Sequence, residues 1–255
     1  MKNLQYLNKD IIHSKFGFCN ICGKITLFIC TNQITSRNNM FCIYCKSSSR
    51  NRLVSKAILA ALYQSKLKSI KKIRKYDNQR IILNTGVNDV FYRVLYGHQN
   101  FLCSELIPDV ENGLEIKKNV FCQNLENLKF SDETFDLVIS QDVLEHVRDF
   151  KKALHEIWRI LKPYGYHIFT VPFFFDKKTI TRIQIDGDKD IQLLPPEYHG
   201  DSVRGKIIAY RTFGIDLIEI LEGIGFKTNM DFSRFIDEKN GIFDSMCFIS
   251  LKPKN

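Results

Sequence analysis

Apolar positions in the second half of the chain switch between short continuous runs and helical spacing. Residues 135–140 (FDLVIS) form an apolar run short enough for a strand covered on both faces. Ala153, Leu154, Ile157, Trp158 and Leu161 then recur at helical spacing, and Pro163 and Gly165 predict where that helix stops. A strand resumes over 166–171. Upstream, 80–84, 100–105 and 119–122 read as strands, with a short helix at 89–96. Downstream, 214–223 contains a helix, followed by a closing pair of strands in GFKTNMDF and GIFDSMCFISLK. This alternation predicts an α/β fold, doubly wound around a mostly parallel sheet. Residues 173–212 carry no sustained period and form the longest irregular insertion, a length that in a compact domain usually serves function. Before residue 80, Leu53, Val54, Ala57, Ile58, Ala61, Leu62 and Ser65 predict one face of a helix. Lys66, Lys68, Lys71, Lys72, Arg74 and Lys75 make its end basic, where they complement the helix dipole.

The predicted organisation is a cysteine module at 1–50, a basic linking helix at 51–78 and a main domain at 79–255, with 173–212 as a lid over its site. Four of the eight cysteines form Cys19-x-x-Cys22 and Cys42-x-x-Cys45, separated by nineteen residues. That is the paired-knuckle spacing of a closed tetrahedral Zn2+ site, so a small zinc-ribbon module held by a structural ion is expected. A disulfide pair is the disfavoured alternative, because MKNLQYLNKD shows no export signal. Cys30, Cys103, Cys122 and Cys247 stand singly among apolar neighbours and are expected to be buried thiols.

Charge refines this picture. The chain has 37 Lys/Arg against 28 Asp/Glu, yet residues 1–80 hold 16 basic residues against only Asp10 and Asp77. The remainder is net acidic, so the front of the chain is expected to meet an anionic partner. Nucleic acid, a nucleotide-linked or phosphorylated substrate, and an anionic membrane surface all fit, as does a solvated basic helix. No apolar run approaches the ~18 residues a membrane span needs, and a soluble, cytoplasmic protein is the expectation.

The pattern FDLVIS…VLEHV…AL.EI.RILKP.G resembles the central segment of class I S-adenosylmethionine (SAM) dependent methyltransferases of the type 11 kind. The resemblance implies a seven-stranded Rossmann-like sheet with one antiparallel strand at its edge, and SAM as cofactor. Asn84, Thr85 and Gly86 then occupy the turn that passes the methionine part of SAM, with Asn84 where the family carries an acid. Glu105, nineteen residues past Gly86, is placed to accept both ribose hydroxyls, with Leu106 beside it. Asn124 stands where the family accepts from the adenine amino group, and Leu125 is positioned to pack on the adenine. Gln141 and Asp142 leave the fourth strand beside the sulfonium.

On the acceptor side, His146 is a candidate base for a hydroxyl, or alternatively a scaffold histidine of its loop. Tyr198, His199 and Asp201 in PPEYHGD are candidates in the insertion, which also reads as a structural turn. With the CxxC pairs, SSSRNR and YRTFGIDLIEIL, this loop resembles a zinc-knuckle subgroup that accompanies glycan assembly. The reading is O-methylation of a sugar or glycan-linked precursor, free or phosphorylated. One alternative is an RNA methyltransferase docking through the basic zinc module, against which the basic segment lacks interleaved aromatics for base stacking. Another is a non-catalytic SAM-fold scaffold. Oligomeric state is left open.

Overall fold

The computed structural model describes residues 11–31, 36–201, 203–232 and 236–254; the first ten residues of the expected cysteine module and Ser202 of the insertion lie outside them. In chain order, β1 (Ile11–Phe18), β2 (Ile25–Thr31) and β3 (Phe41–Cys42) precede helix α1 (Ser49–Tyr63) and a short α2 (Ile73–Tyr76). Next come β4 (Ile82–Asn84), α3 (Val90–Leu95), β5 (Phe101–Glu105), β6 (Glu115–Lys117), β7 (Val120–Cys122) and β8 (Phe135–Gln141). Helix α4 (Phe150–Ile160) leads directly into β9 (Leu161–Thr170). The insertion holds β10 (Ile180–Thr181), β11 (Ile183–Asp186), β12 (Lys189–Gln192), β13 (Tyr198–Asp201), β14 (Gly205–Ile208) and β15 (Arg211–Thr212). Helix α5 (Asp216–Ile224), β16 (Lys227–Asp231), β17 (Ile236–Asp237), β18 (Ile242–Phe243) and β19 (Cys247–Leu251) complete the chain.

The chain divides into two compact units. The first comprises 1–78, 89–98 and 230–247. Its antiparallel β1-β2-β3 sheet carries the cysteines. Helix α1 starts at a capping box, with Ser48 accepting from the Asn51 amide and the Asn51 side chain accepting from the Ser48 amide. The predicted helix over 51–78 is corrected. Gln64 and Ser65 both adopt left-handed backbone, and their amides close back on Ala60 and Leu59, ending α1 at Tyr63. The exposed Lys66, Lys68, Lys71, Lys72, Arg74 and Lys75 therefore lie on the loop, turn and short α2 beyond it, and do not complement the α1 dipole. Arg52, fully buried, pins this unit. Its guanidinium donates to the carbonyls of Ser47, Met40, Asn240 and Gly241 and lies 4.2 Å over the Phe28 ring.

The second unit comprises 79–88, 99–229 and 248–255. Its Rossmann-like sheet has eight strands in the order β16-β19-β9-β8-β4-β5-β7-β6, one more than expected. The extra strand is β6, all of whose residues are exposed; GLEIKK carries no buried-strand pattern, and pairing with β7 alone makes it a strand. The β7-β5-β4-β8-β9 block is parallel, while β19 on one side and β6 on the other run antiparallel to their neighbours. Chain order reverses between β4 and β8, which creates a topological switch point with its crevice at the strand carboxyl ends. The apolar runs of β4 and β8 are buried, as is the α4 face of Ala153, Leu154, Ile157 and Ile160. The helix stops at Ile160, three residues before Pro163, because Leu161 already pairs with Phe135. Trp158 is only half-buried and lies under the Lys252 ammonium at 4.0 Å. Its indole also sits where a side chain on Gly225 would be, 3.2 Å from an added Cβ, and Gly225 has φ +115°.

Residues 173–212 are not irregular, contrary to expectation. β11 pairs with β12 and β13 with β14, while β10 and β15 close the base. The signal was present as Gly187-Asp188, a two-residue hairpin loop between the paired Asp186 and Lys189. Among the lone cysteines, Cys103, Cys122 and Cys247 are buried as expected, whereas Cys30 is only half-buried.

One core group is sensitive to acid. His167 of β9 is completely buried, 2.8 Å from the Ser140 hydroxyl, and burial pushes its pKa down to about 3. Between that value and the unfolded ~6.5, only the unfolded chain takes up the proton, so stability falls as pH drops. At pH 5 the loss from this residue alone is expected to be about 2 kcal/mol relative to pH 7. Urea unfolding of wild type and His167→Gln at both pH values checks it; equal pH slopes refute it.

Candidate functional site

The carboxyl ends of β4, β5, β7 and β8 collect the residues assigned to the cofactor. Asn84 is buried at the end of β4 and donates 2.6 Å to the Gly86 carbonyl, tying the turn together. Thr85 bonds the Ile139 carbonyl of β8 through both its amide (2.9 Å) and its hydroxyl (3.2 Å), fixing the turn at the switch point. Glu105 ends β5 with a largely buried carboxylate. Burial pushes its pKa up to about 6, against the pull of Arg204 3.6 Å away. Leu106 is exposed, and its carbonyl accepts from the same Arg204. After β7, the Asn124 side-chain oxygen accepts 2.9 Å from the Glu126 amide, and the Asn124 amide donates 2.8 Å to Asn112, so this asparagine is built into its own turn. Leu125 is buried beside it.

After β8, Gln141 leads into Asp142, which has φ +52° and accepts 3.0 Å from the Thr170 hydroxyl. The following LEHVR segment is held by Arg211 of β15, buried and donating to the carbonyls of Leu144, Val147 and Arg148. Desolvation lowers this guanidinium to about 10. Arg211 lies in the YRTFGIDLIEIL segment of the resemblance, which assigned it no role; that role exists only because β15 returns to the loop after β8.

The insertion meets the same loop. His146 bonds the Ile208 carbonyl of β14 through Nδ1 at 2.8 Å, while its Nε2 lies 3.1 Å from His199 Nδ1. His199 Nε2 contacts the Glu197 carboxylate at 3.1 Å. Burial lowers the His146 pKa. Glu145, fully buried, places a carboxylate oxygen 3.7 Å from His146 and 3.9 Å from His199. Asp201 accepts from the Val203 amide and pairs with Arg204 at 3.0 Å, which joins the hairpin tip to Glu105. Strand alternation puts Tyr198 on the face opposite His199 and Asp201, and it is exposed, so the four acceptor-side candidates are not one cluster. An open cleft of about 280 Å³ lies between the start of α4 and β11, lined in part by Arg148, Phe150, Lys151, Ile183 and Arg211.

In the first unit, Cys19, Cys22, Cys42 and Cys45 bring their sulfurs within 4.8 Å of one another. Cys19 and Cys45 are 3.6 Å apart and Cys22 and Cys42 3.9 Å, close to the ~3.8 Å edge of a tetrahedron with 2.3 Å zinc–sulfur bonds. The two knuckles are equivalent turns. Gly23 donates to the Cys19 carbonyl and Lys46 to that of Cys42, both from left-handed backbone.

Residues 102–169, from β5 to β9, match the family model of a methyltransferase domain. An uncharacterized protein of Methanocaldococcus jannaschii is 30% identical over 140 residues, 54% of this chain and 60% of the relative. A dimethylglycine N-methyltransferase of Parasynechococcus marenigrum is 40% identical over 68 residues, 27% of this chain and 24% of the relative. The chain thus spans 60% and 24% of the length of these two curated relatives. An S-adenosylmethionine-dependent methyltransferase structure from Mesorhizobium loti superposes at a TM-score of 0.40 with 14% identity, covering 68% of this chain and 90% of that one. The domain match and the named relative support a methyltransferase domain over residues 102–169. Among the described residues, no helix is long and apolar enough to cross a membrane.

Proposed function

We propose that the protein transfers a methyl group from SAM to a hydroxyl oxygen of a sugar or glycan-linked precursor. The observation that carries this reading is Glu105, a largely buried carboxylate at the carboxyl end of β5, the strand next to β4 at the switch point. A carboxylate there fits the ribose of SAM, because it accepts two hydroxyl donors at once. SAM supplies an electrophilic methyl on a sulfonium. The chain's own residues do the rest: the Asn84–Gly86 turn and Leu125 line its passage, and Glu105 fixes the ribose. The histidine pair of His146 and His199 meets the acceptor hydroxyl. Three relatives methylate nitrogen by their names and one methylates carbon, while the resemblance to glycan enzymes suggests oxygen; the histidine pair favours oxygen, since a neutral amine needs no base. The insertion over 173–212 acts as the lid, and the cationic cleft at Arg148 and Lys151 suits a substrate phosphate. The exposed lysines of 66–75 favour an anionic partner as well; binding of RNA that falls steeply with salt would support the nucleic-acid reading instead.

Zinc belongs to this proposal as a structural ion on Cys19, Cys22, Cys42 and Cys45, with no open position for chemistry.

Glu105→Ala is expected to weaken SAM binding about tenfold to a hundredfold, the cost of about 1–3 kcal/mol for losing a hydrogen-bonded charge. Calorimetric titration measures it. Because the free carboxyl titrates near pH 6, wild-type affinity is also expected to decline below that pH, where the group loses acceptor capacity. Unchanged affinity in the variant refutes the assignment, and absence of heat in wild type refutes the cofactor.

A further inference from the structure

We infer that Glu145, His146 and His199 form a divalent-cation site that takes the acceptor's oxygen into its open positions. The inference deepens the proposed methyl transfer to a hydroxyl and rests on that reading for the metal's use, though not for its binding.

The geometry comes first. The donor atoms Glu145 Oε1, His146 Nε2 and His199 Nδ1 are separated by 3.1, 3.7 and 3.9 Å. A point equidistant from all three lies about 2.1 Å from each, the length of a metal–nitrogen or metal–oxygen bond. At that distance the ion lies in the plane of its two imidazole nitrogens and one carboxylate oxygen, and positions above and below that plane are left for further ligands. The two rings meet edge to face at 88°, so their nitrogens converge and the rings do not stack.

The surroundings set which nitrogens are free to ligate. The Ile208 carbonyl can only accept, so His146 carries its proton on Nδ1 and leaves the Nε2 lone pair facing inward. The Glu197 carboxylate likewise draws a proton to His199 Nε2, leaving Nδ1 as the inward lone pair. These tautomers follow from the hydrogen-bond partners. Two lone pairs then face each other at 3.1 Å beside a buried carboxylate, an arrangement that a cation between them satisfies. A carbonyl or carboxylate on the far nitrogen of each ring is how metal-bound histidines are oriented. The loop is rigid as well, since Arg211 ties it at three carbonyls.

The chemistry suits a hydroxyl acceptor, above all one oxygen of a vicinal diol. Coordination lowers the hydroxyl pKa and its proton passes to solvent. The oxygen then bonds the methyl carbon while the carbon–sulfonium bond breaks, its electron pair staying on sulfur as a neutral thioether.

Mn2+ is the probe, because its preference for nitrogen and oxygen ligands keeps it off the four thiolates. Zinc-loaded wild type should remove one Mn2+ per chain from the free-ion spectrum in electron paramagnetic resonance. His199→Ala, a half-exposed position whose loss should not unfold the chain, should weaken Mn2+ at least about tenfold, and Glu197→Gln about tenfold through ring orientation. His155→Ala, on the exposed face of α4, should leave it unchanged. SAM calorimetry and circular dichroism on the same samples separate the two readings. Mn2+ binding without SAM heat upholds the site and defeats methyl transfer. SAM heat with Mn2+ bound no more tightly by wild type than by a folded His199→Ala overturns the site, the pair then sharing a proton.

Discussion

Cys42→Ser is expected to abolish the fold of the three-stranded sheet in the first unit, not to trim its stability. Cys42 ends β2's short partner strand β3, and its sulfur is 3.9 Å from Cys22. Structural zinc in modules of this size contributes about 10–16 kcal/mol of binding free energy, more than the whole stability of most domains. Among the described residues β1, β2 and β3 bury few large apolar side chains, with Phe16 and Ile25 exposed and Phe28 at the centre. A sheet so thinly packed would depend on the proposed ion. Elemental analysis should find one zinc per wild-type chain and almost none in the variant. Circular dichroism and proton spectra should show the loss of β1–β3. A variant that keeps dispersed signals for these strands, or a reduced wild type without zinc, sinks the proposal.

Arg52→Ala should be the next most damaging change, at about 3–5 kcal/mol, because it leaves three buried carbonyls and the part-buried one of Asn240 without their donor. Those carbonyls come from Ser47 and Met40 beside the cysteines and from Asn240 and Gly241 near the chain's end, so one side chain closes a contact between segments far apart in sequence. Arg52→Lys keeps the charge but cannot span the same carbonyls with a rigid fork, and should recover less than half of the loss. Urea unfolding of both variants decides it. A cost below about 1 kcal/mol for alanine would mean that water replaces the guanidinium without penalty.

Much of the second unit was legible because its strands are buried on both faces and its helices are amphipathic. The run at β8 and the α4 face both declare themselves within a dozen residues. β6 and the insertion hairpins were not legible in the same way. Their residues are largely exposed, so no hydrophobic period marks them, and pairing with a neighbour is what makes them strands. The basic helix failed for a different reason. Its lysines have good helix propensity, but left-handed Gln64 and Ser65 ended α1 with neither Gly nor Pro to announce it.

The same division separates the sites. The sequence by itself determined the two cysteine knuckles, since four thiols at short spacing on tight turns converge through local geometry. It also determined that polar residues leave β4, β5, β7 and β8 at one end of the sheet, because a parallel strand must exit there. Only the tertiary structure decided which of them meet. His146 and His199 are 53 residues apart, and Arg204 reaches a carbonyl 98 residues before it. Such pairings follow from the register of the β13–β14 hairpin and the return of β15 with Arg211. A one-residue slip in that register would turn His199 outward and Tyr198 inward. Local spacing carries no information about that choice, whereas packing over the whole unit leaves a single answer.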